Sequence, residues 1–364
     1  MKAQKEAVTR YVGIDLGKRT YEVAIVEKGK VKKSNGKTFS AGRQALYKKL
    51  RSSDKVALEA GNMAFIIAKE LEGSVGCRVY VLNPGNLALI YGSMKKTDKE
   101  DSMKLAHILE DFQEERLPVV PVPSDKEMQR RKLLAAHRRV QQSRSREINK
   151  LHALFLAQGI TTMVRADLST NEKRKEAIKE LSGLEREESE YLVSCLELHE
   201  QRIEVLNRQI KKESSGDEVI ERLQSVPGVG PMVAFAFVAH VAAERFENAS
   251  QVSNYLGLVP RVYMSGQTVR YGRITKRGNG YLRALLNQAA WALIRTKKSE
   301  KLKERFEYMT VEKSISKKKA IVAISRRIAE LLYAMMRDGT WYASRPFIRE
   351  KKGLEELAQV ALSA

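Results

Sequence analysis

Four carboxylates stand at positions from which side chains could bind a metal ion. Asp15 lies at the end of the apolar segment Tyr11–Leu16, and Glu59 ends a second apolar segment. Asp98 and Asp101 are three residues apart at the start of a helical pattern, so both leave the same face of that helix. Hard divalent cations take oxygen ligands, and two such ions can bind the attacking and the leaving oxygen of a phosphodiester. The four acids therefore favour metal-dependent chemistry on phosphodiesters.

Each acid taken singly also has a structural explanation. An Asp after a strand often forms a turn, and an Asp at a helix start often caps the helix beside its dipole. The order of strand with Asp, strand with Glu and helix with Asp-x-x-Asp is what favours a shared site. Gly13–Lys18 also resembles the first phosphate loop of actin-like ATPases, but those proteins need a second, Asp-Gly-Gly-type loop, and the sequence has none. The ATPase interpretation is therefore disfavoured.

Ser265 is a second candidate for chemistry. Its neighbours in the sequence include six cationic residues: Arg261, Arg270, Arg273, Lys276, Arg277 and Arg283. Cationic groups can stabilise the charge that develops when a hydroxyl attacks a phosphodiester. Because no histidine is positioned as its base, the residues alone leave open whether Ser265 is a nucleophile or part of an ordinary Ser-Gly turn.

The elements that must position the carboxylates alternate in type. Strands are predicted at 11–16, 21–27, 31–39, 56–59 and 78–82, with helices at 42–51, at 62–71, after 82 and from about 98. Short links between the first three strands predict an antiparallel meander, and helices between the later strands predict parallel pairing. This is the strand order of the RNase H-like fold, so residues 1–123 are expected to form an α/β domain of that class.

A break follows at Pro118, Pro121 and Pro123, since proline cannot continue a helix. Residues 124–216 are highly charged, with apolar residues at helical spacing, and predict two long helices joined near Gly159–Asn171. The pair is either an antiparallel or intermolecular coiled coil, or a helical spacer with a solvated face. Six arginines of the first helix are candidates for phosphate contacts: Arg130, Arg131, Arg138, Arg139, Arg144 and Arg146.

The remaining residues, 217–364, are expected to form a mainly α-helical domain that carries Ser265. Near its start, Val226–Pro231 lies between two helical stretches and resembles a helix-hairpin-helix motif. Exposed backbone N–H groups in such a turn can hold a phosphate without reading sequence. A tight connection between two helices explains the same residues equally well.

The charge balance indicates a polyanionic partner. The 364 residues contain 66 Lys and Arg against 44 Asp and Glu, which gives a formal net charge of +22. Such an excess favours association with phosphate backbones. Cys77 and Cys195 are too far apart to predict a zinc site or a disulfide framework, and the sequence shows neither a signal peptide nor an apolar run that could span a membrane. We therefore expect a soluble, nucleoid-associated protein of the cytoplasm that binds nucleic acid.

Together these residues resemble the DEDD-type insertion-sequence transposases that carry a catalytic serine, the family of bridge-RNA-guided recombinases. The likeness runs nearly end to end, on Gly13–Asp15, Leu58–Glu59, Asn83–Pro84, Lys96–Asp98 with Asp101, Val226–Gly230, Tyr255–Pro260, Ser265–Gly266, Lys276–Asn279 and Lys317–Ala323. Two small departures, Ala60–Asn62 after Glu59 and Ser102 after Asp101, leave the acids themselves in place.

The resemblance implies more than the residues show by themselves. The family's metal-binding carboxylates fall on Asp15, Glu59, Asp98 and Asp101, in a RuvC-like domain that binds Mg²⁺. Its nucleophile falls on Ser265, which would form a covalent phosphoserine link to DNA. The resemblance also implies a homo-oligomer, a dimer or a tetramer on DNA, in which the carboxylates of one subunit and the serine of another build one site. A structured noncoding bridge RNA would pair with the donor and the target DNA.

Two other functions explain part of the sequence. A junction resolvase, or structure-selective nuclease, needs the carboxylates but has no use for the serine-bearing domain. A non-catalytic nucleic-acid-binding protein needs the basic charge but not the four acids. The leading hypothesis is therefore a transposase that cuts and rejoins DNA strands.

Overall fold

The computed structural model describes residues 10–61, 63–90, 98–265, 268–296 and 300–342. The chain forms two compact units that divide between Ser124 and Asp125. The long helices and the serine-bearing region both fall within the second unit. Their separation into two domains, at residues 216 and 217, stays a prediction.

The first unit is built on a five-stranded mixed sheet. Its elements are β1 (Tyr11–Leu16), β2 (Thr20–Glu27), β3 (Lys30–Lys37), α1 (Ser40–Tyr47), β4 (Lys55–Glu59), α2 (Ala64–Ser74), β5 (Arg78–Leu82), α3 (Pro84–Ile90) and α4 (Asp98–Asp111). The strand order is β3-β2-β1-β4-β5. The pairs β1–β2 and β2–β3 are antiparallel, whereas β1–β4 and β4–β5 are parallel. The meander and the parallel part predicted from the sequence are confirmed, and the unit is compatible with an RNase H-like transposase domain.

A tight turn joins the second and third strands of the meander. Lys28 and Gly29 both have positive φ, 51° and 72°, as the two-residue turns that suit the twist of a hairpin require. The strand that follows, β3, lies at the edge of the sheet, is largely exposed and carries several lysines. Charged side chains on an edge strand keep it from pairing with other chains.

The two faces of the sheet are covered by different helices. On one face, Val12 and Ile14 of β1 share a core with residues of α1 and α2. On the opposite face, Ala57 of β4 packs with Leu105 and Ile108 of α4. Because side chains alternate between the faces of a strand, every second residue of β1 and β4 is directed toward α4.

The second unit is mostly helical. Its elements are α5 (Asp125–Ala157), α6 (Asn171–Ala177), α7 (Gly183–Ser214), α8 (Glu218–Gln224), α9 (Pro231–His240), α10 (Ala249–Tyr255), β6 (Pro260–Ser265), β7 (Thr268–Ile274), α11 (Gly280–Arg295), α12 (Glu300–Glu307) and α13 (Lys317–Asp338). The main core lies among α8 to α13, where Phe235, Phe237 and Tyr333 are fully buried. The Tyr333 hydroxyl donates to the Phe246 carbonyl at 2.7 Å, which satisfies its polar end inside that core.

The two long helices predicted from the sequence are α5 and α7, and they run antiparallel. Arg130 near the start of α5 pairs with Asp217 just after α7, while Gln158 after α5 donates to the Ser182 carbonyl just before α7. The junction differs from the prediction, because α7 begins at Gly183 and the link contains the extra helix α6. The side chain of Thr170 caps the start of α6. Helical periodicity in the sequence did not distinguish this short helix from the two long ones. The coiled-coil character of the pair stays a prediction.

In the part of the chain that the structure describes, none of the helices combines the length and the apolar character needed to cross a membrane.

Candidate active site

Asp15 and Glu59 lie side by side at the carboxyl ends of two adjacent parallel strands. Ile14 and Leu58 are Cα partners in the β1–β4 ladder, and Asp15 and Glu59 are the next residues along each strand. Neighbouring strands are about 4.8 Å apart. Both residues are in the alternation that faces α4, and both line a cleft of about 560 Å³ together with Lys18, Gly61 and Met63. Two of the four predicted acids are therefore neighbours on one face of the sheet.

Helix α4 approaches this face unusually closely at Gly13. A Cβ atom at Gly13 would lie 2.0 Å from the Ser102 carbonyl oxygen and 2.5 Å from the Ala106 backbone nitrogen. Only a glycine therefore allows the backbone of α4 to pack directly on β1. Asp15 follows two residues later on the same face, toward the N-terminal end of α4, where Asp101 stands. The glycine is a positioning residue that the sequence analysis did not single out, although it lies within the Gly13–Asp15 motif.

The other two acids belong to the first turn of α4. Asp101 accepts a hydrogen bond from Lys104 Nζ at 3.2 Å, and its side chain is 25% exposed. Asp98 begins the helix, but its side chain lies outside the described part of the structure. Among the residues that are described, no three His, Cys, Asp or Glu side chains are close enough to hold a metal ion. The structure thus places Asp15, Glu59 and α4 on one face, and the complete four-carboxylate site stays a prediction.

Ser265 ends the first strand of an exposed two-stranded hairpin, β6–β7. Its Cα partner is Thr268, and Tyr263 pairs with Arg270, so these side chains share one face of the hairpin. The other face carries four apolar residues that are 45% to 73% exposed: Val262, Met264, Val269 and Tyr271. The residues that join the strands, Gly266 and Gln267, lie outside the described part. The fold therefore presents Ser265 to solvent near the end of the hairpin, with Arg270 on its face.

The base of this hairpin is held by backbone packing. A Cβ at Gly257 would lie 2.0 Å from the Arg277 carbonyl oxygen, and one at Gly278 would lie 2.0 Å from the Tyr255 carbonyl oxygen. Arg283 donates from Nη1 to the carbonyls of Leu256, Arg277 and Gly278 at 2.9 to 3.2 Å. The cationic side chain of Arg283 therefore fastens the two sides of the hairpin base, which differs from the expectation that it supports charge at Ser265. The proximity of Arg283 to Ser265 in the sequence had suggested the role at the serine, whereas its hydrogen bonds show a role at the hairpin base.

Asn279 and His240 hold the next turn. The Asn279 side chain caps α11 by accepting hydrogen bonds from the backbone N–H groups of Tyr281 and Leu282, and it also donates to His240 Nε2 at 3.0 Å. Burial, and then the charge of Arg131, lower the pKa of His240 to about 4. The imidazole is thus neutral at physiological pH and is able to accept this hydrogen bond. His240 was not a sequence candidate, and no pattern around it in the sequence signals its partner.

Val226–Gly230 lies in the connection between α8 and α9, and its helix-hairpin-helix character stays a prediction. Gly228 has φ of 85°, and a Cβ there would lie 2.5 Å from the Ala289 carbonyl oxygen of α11. At Gly230, in contrast, a Cβ would have no neighbouring atom within 4 Å. The first glycine therefore serves packing of the turn against α11, and the second faces open space. A role of this turn in phosphate binding stays a prediction.

Comparison with known proteins covers both units. Residues 12–159 match a transposase family model of the DEDD type that is named for IS110, and residues 220–307 match the model of the IS116/IS110/IS902 transposase family. The first match contains all four predicted carboxylates, and the second contains Ser265. DEDD-type transposase domains typically use divalent metal ions.

Several curated bacterial proteins are similar to this chain. A probable family 20 transposase of Pseudomonas aeruginosa is 28% identical, across 91% of this chain and 98% of its own length. The transposase of insertion sequence element IS1111A from Coxiella burnetii is 29% identical, across 56% of this chain and 57% of its own. The transposase of element IS1328 from Yersinia enterocolitica is 26% identical, across 77% and 82%. Models of IS110-type insertion-sequence transposases thus match in both units of this chain, and the chain is an enzyme that acts on DNA.

Proposed function

We propose that this transposase cuts and rejoins DNA strands with a carboxylate tetrad and a serine nucleophile. The tetrad comprises Asp15, Glu59, Asp98 and Asp101, which would hold Mg²⁺, and the nucleophile is Ser265. The observation that carries the proposal is the placement of Asp15 and Glu59 at adjacent strand ends, on the sheet face that α4 covers. A plain junction resolvase is disfavoured because the family match extends through the serine-bearing region.

The donor set suits a hard divalent cation. All four side chains offer carboxylate oxygens, the ligands that Mg²⁺ prefers, and the cleft beside Asp15 and Glu59 is open to a substrate. When bound, the metal would supply stabilisation of the negative charge that builds up on the phosphate oxygens. The mutual repulsion of four carboxylates also has a physical reason at such a site, since the cation offsets it.

The serine step exchanges one phosphodiester for another. The Ser265 hydroxyl oxygen forms a bond to phosphorus, while the bond from phosphorus to the leaving deoxyribose oxygen breaks. The hydroxyl proton passes to solvent, and the leaving oxygen takes a proton from solvent. Arg270, which shares the hairpin face with Ser265, is positioned to approach the phosphate and stabilise its charge. The covalent phosphoserine retains the bond energy for the rejoining step, in which a DNA hydroxyl displaces the serine.

The proposal is tested by substitution at the two halves of the site. Ser265→Ala is expected to lower strand exchange by at least about a thousandfold and to remove the covalent protein–DNA adduct. DNA binding should persist, because most of its free energy comes from contacts of Lys and Arg with phosphates. Asp15→Ala should block the same step. Recombination and adduct formation on labelled DNA are the measurements.

Ser250→Ala is the matched control, since Ser250 is an exposed serine on α10 in the same unit. It should leave strand exchange unchanged. If Ser265→Ala recombines DNA at the wild-type rate, the serine has no catalytic role.

We also propose that a structured noncoding RNA guides the enzyme. The support is the end-to-end resemblance to the bridge-RNA-guided recombinases and the net charge of +22, which suits more than one polyanion. Protein purified from cells that carry the gene with its flanking DNA should contain one discrete RNA encoded beside the gene. Ribonuclease treatment should abolish strand exchange, and adding the transcript back should restore it. Exchange at an unchanged rate after complete removal of RNA would contradict guidance.

A further inference from the structure

The structure divides the arginines of α5 into two groups. Three are engaged inside the protein: Arg130 is buried and pairs with Asp217, Arg131 donates to the Ala239 carbonyl at 2.7 Å, and Arg144 pairs with Glu200 at 2.8 Å. The other three are exposed: Arg138, Arg139 and Arg146. Among the residues that the structure describes, Arg146 bonds the nearby Ser143 hydroxyl, and Arg138 lies over the Tyr281 ring. The exposed group is therefore available to an external ligand.

Two of the exposed arginines, Arg139 and Arg146, belong to a continuous stripe without carboxylates, and Arg138 lies beside it. Residues 132, 135, 139, 142, 146 and 149 recur at intervals of three and four and are all exposed, so they lie along one side of the helix. Between Glu127 and Glu147 the sequence has seven Lys and Arg and no acid. Within the described residues, no carboxylate lies at ion-pair distance from Lys132, Arg138 or Arg139. The positive charge of the stripe is thus not neutralised by the protein itself.

The partner helix α7 has exposed charges of both signs, so an excess of positive charge is not common to both helices of the pair. Its exposed residues include Glu187, Glu188, Glu190 and Glu204 beside Arg202 and Arg208. Mixed signs of this kind are usual for a solvated helix surface. A stripe whose charged residues are all cationic on one helix, beside a surface of mixed charge on the other, indicates a polyanion on the α5 side.

Contacts within the unit join this stripe to the serine hairpin. The Arg138 guanidinium lies 5.4 Å from the centre of the Tyr281 ring, in the first turn of α11. Asn279 caps that turn, and the exposed residues Lys276 and Arg277 precede it at the base of the hairpin. Residues 248–299 contain nine Lys and Arg and no Asp or Glu. The cationic surface therefore extends from α5 across the α11 turn to the strand that pairs with Ser265.

We propose that this surface is a nucleic-acid track that binds the phosphate backbone and leads it to Ser265. The track comprises Lys132, Arg138, Arg139 and Arg146 of α5 with Lys276, Arg277, Arg273 and Arg270 of the hairpin region. Its α5 part is roughly 21 Å long at 1.5 Å per residue, which spans several phosphates of a duplex. Exposed guanidinium groups suit phosphate oxygens and carry no sequence information by themselves. The track deepens the proposed function and rests on it only for the role of Ser265 at its end.

The test removes charge from the α5 part and measures affinity as a function of salt. In the full-length protein, Arg139→Gln with Arg146→Gln should weaken binding of a labelled DNA duplex by at least about tenfold and reduce the slope of log affinity against log salt by about 2. Single-stranded DNA and an RNA hairpin form two further arms, which identify the polyanion that the track prefers. Loss of affinity for any of these probes supports the track.

The matched control is Arg202→Gln with Arg208→Gln on α7, which makes the same change in net charge on the mixed surface. This control should retain the wild-type affinity and salt slope. Both double variants alter exposed side chains, and equal thermal stability of the two proteins verifies folding. An unchanged affinity of the α5 variant for all three probes, or an equal loss in the α7 variant, would overturn the proposal.

Failure of the track and failure of the proposed chemistry give different results. The same binding assay in a Ser265→Ala background reports on the track without any strand exchange. If the track is wrong, the α5 variant binds normally while Ser265 still governs adduct formation. If the serine chemistry is wrong, Ser265→Ala recombines DNA normally while the α5 variant still loses affinity.

Discussion

At the scale of single residues, glycine governs how closely the parts of the carboxylate site approach. Gly13 has no room for a methyl group, because the Ser102 carbonyl and the Ala106 nitrogen occupy that space. Adding a methyl group there must displace α4 from β1. Asp15 belongs to β1 and Asp101 belongs to α4. Displacing α4 from β1 therefore also changes the distance between these two carboxylates.

We expect Gly13→Ala to destabilise the first unit by about 2 to 3 kcal/mol, as overpacking of a tight core does, and to reduce strand exchange strongly. Gly73→Ala is the matched control, because Gly73 lies on helix α2 and a Cβ there would have no neighbouring atom within 4 Å. That change should raise the stability by roughly 0.5 to 1 kcal/mol, since alanine favours the helix. Denaturant unfolding of the full chain measures both effects, and a stable, active Gly13→Ala protein would refute the close packing.

At the scale of elements, the antiparallel pair α5–α7 is joined by a partly buried ion cluster near the middle of both helices. Arg174 of α6 is fully buried and gives two hydrogen bonds to Glu200 of α7, at 2.6 and 3.0 Å, and Arg144 of α5 binds the same carboxylate. Burial by itself would raise the pKa of Glu200, but the hydrogen bonds from Arg174 and Arg144 outweigh it, and the pKa lies below its usual value of 4.5. One carboxylate thus connects three helices.

Glu200→Ala should therefore lower the stability of the helical unit at neutral pH by about 2 kcal/mol, allowing for the part of Glu200 that is exposed. Because the folded-state pKa is lowered, the contribution of Glu200 is complete above about pH 4.5 and is lost as the pH falls further. The stabilities of wild type and variant should converge in acid. Glu204→Ala, an exposed position on the same helix, should differ little from wild type at any pH, and a similar loss there would contradict the cluster's role.

At the scale of the whole molecule, the carboxylates and the serine belong to different compact units. A site that needs both must bring two units together, within one chain or between subunits. The homo-oligomer that the family resemblance implies, in which one subunit supplies the carboxylates and another the serine, would meet this requirement. The exposed apolar face of the β6–β7 hairpin agrees with such an assembly, since apolar patches on a surface often mark interfaces.

Mixing subunits tests this arrangement. Ser265→Ala and Asp15→Ala proteins should each be inactive alone, whereas a mixed population of dimers should regain roughly a quarter of the wild-type sites, because each mixed dimer has one intact site. Strand exchange after co-expression is the measurement, with equal amounts of each single variant as controls. No recovery, or a monomeric protein by light scattering with and without nucleic acid, would contradict a site shared between subunits.

The sequence by itself determined the local elements and their order. Alternating and helical periodicities predicted β1, β2, β4, β5 and the two long helices, since each pattern reflects which side chains one element buries. Residue types at strand and helix ends predicted the four carboxylates, whereas neighbouring cations and the family resemblance predicted Ser265. Only the tertiary structure decided which charges are structural: Arg130 pairs with Asp217 at a separation of 87 residues, and Arg131 bonds Ala239 at a separation of 108. Such partners meet through packing of distant elements, which no local periodicity encodes, and the same packing left Arg139 and Arg146 exposed and made Gly13 and Gly257 contact points.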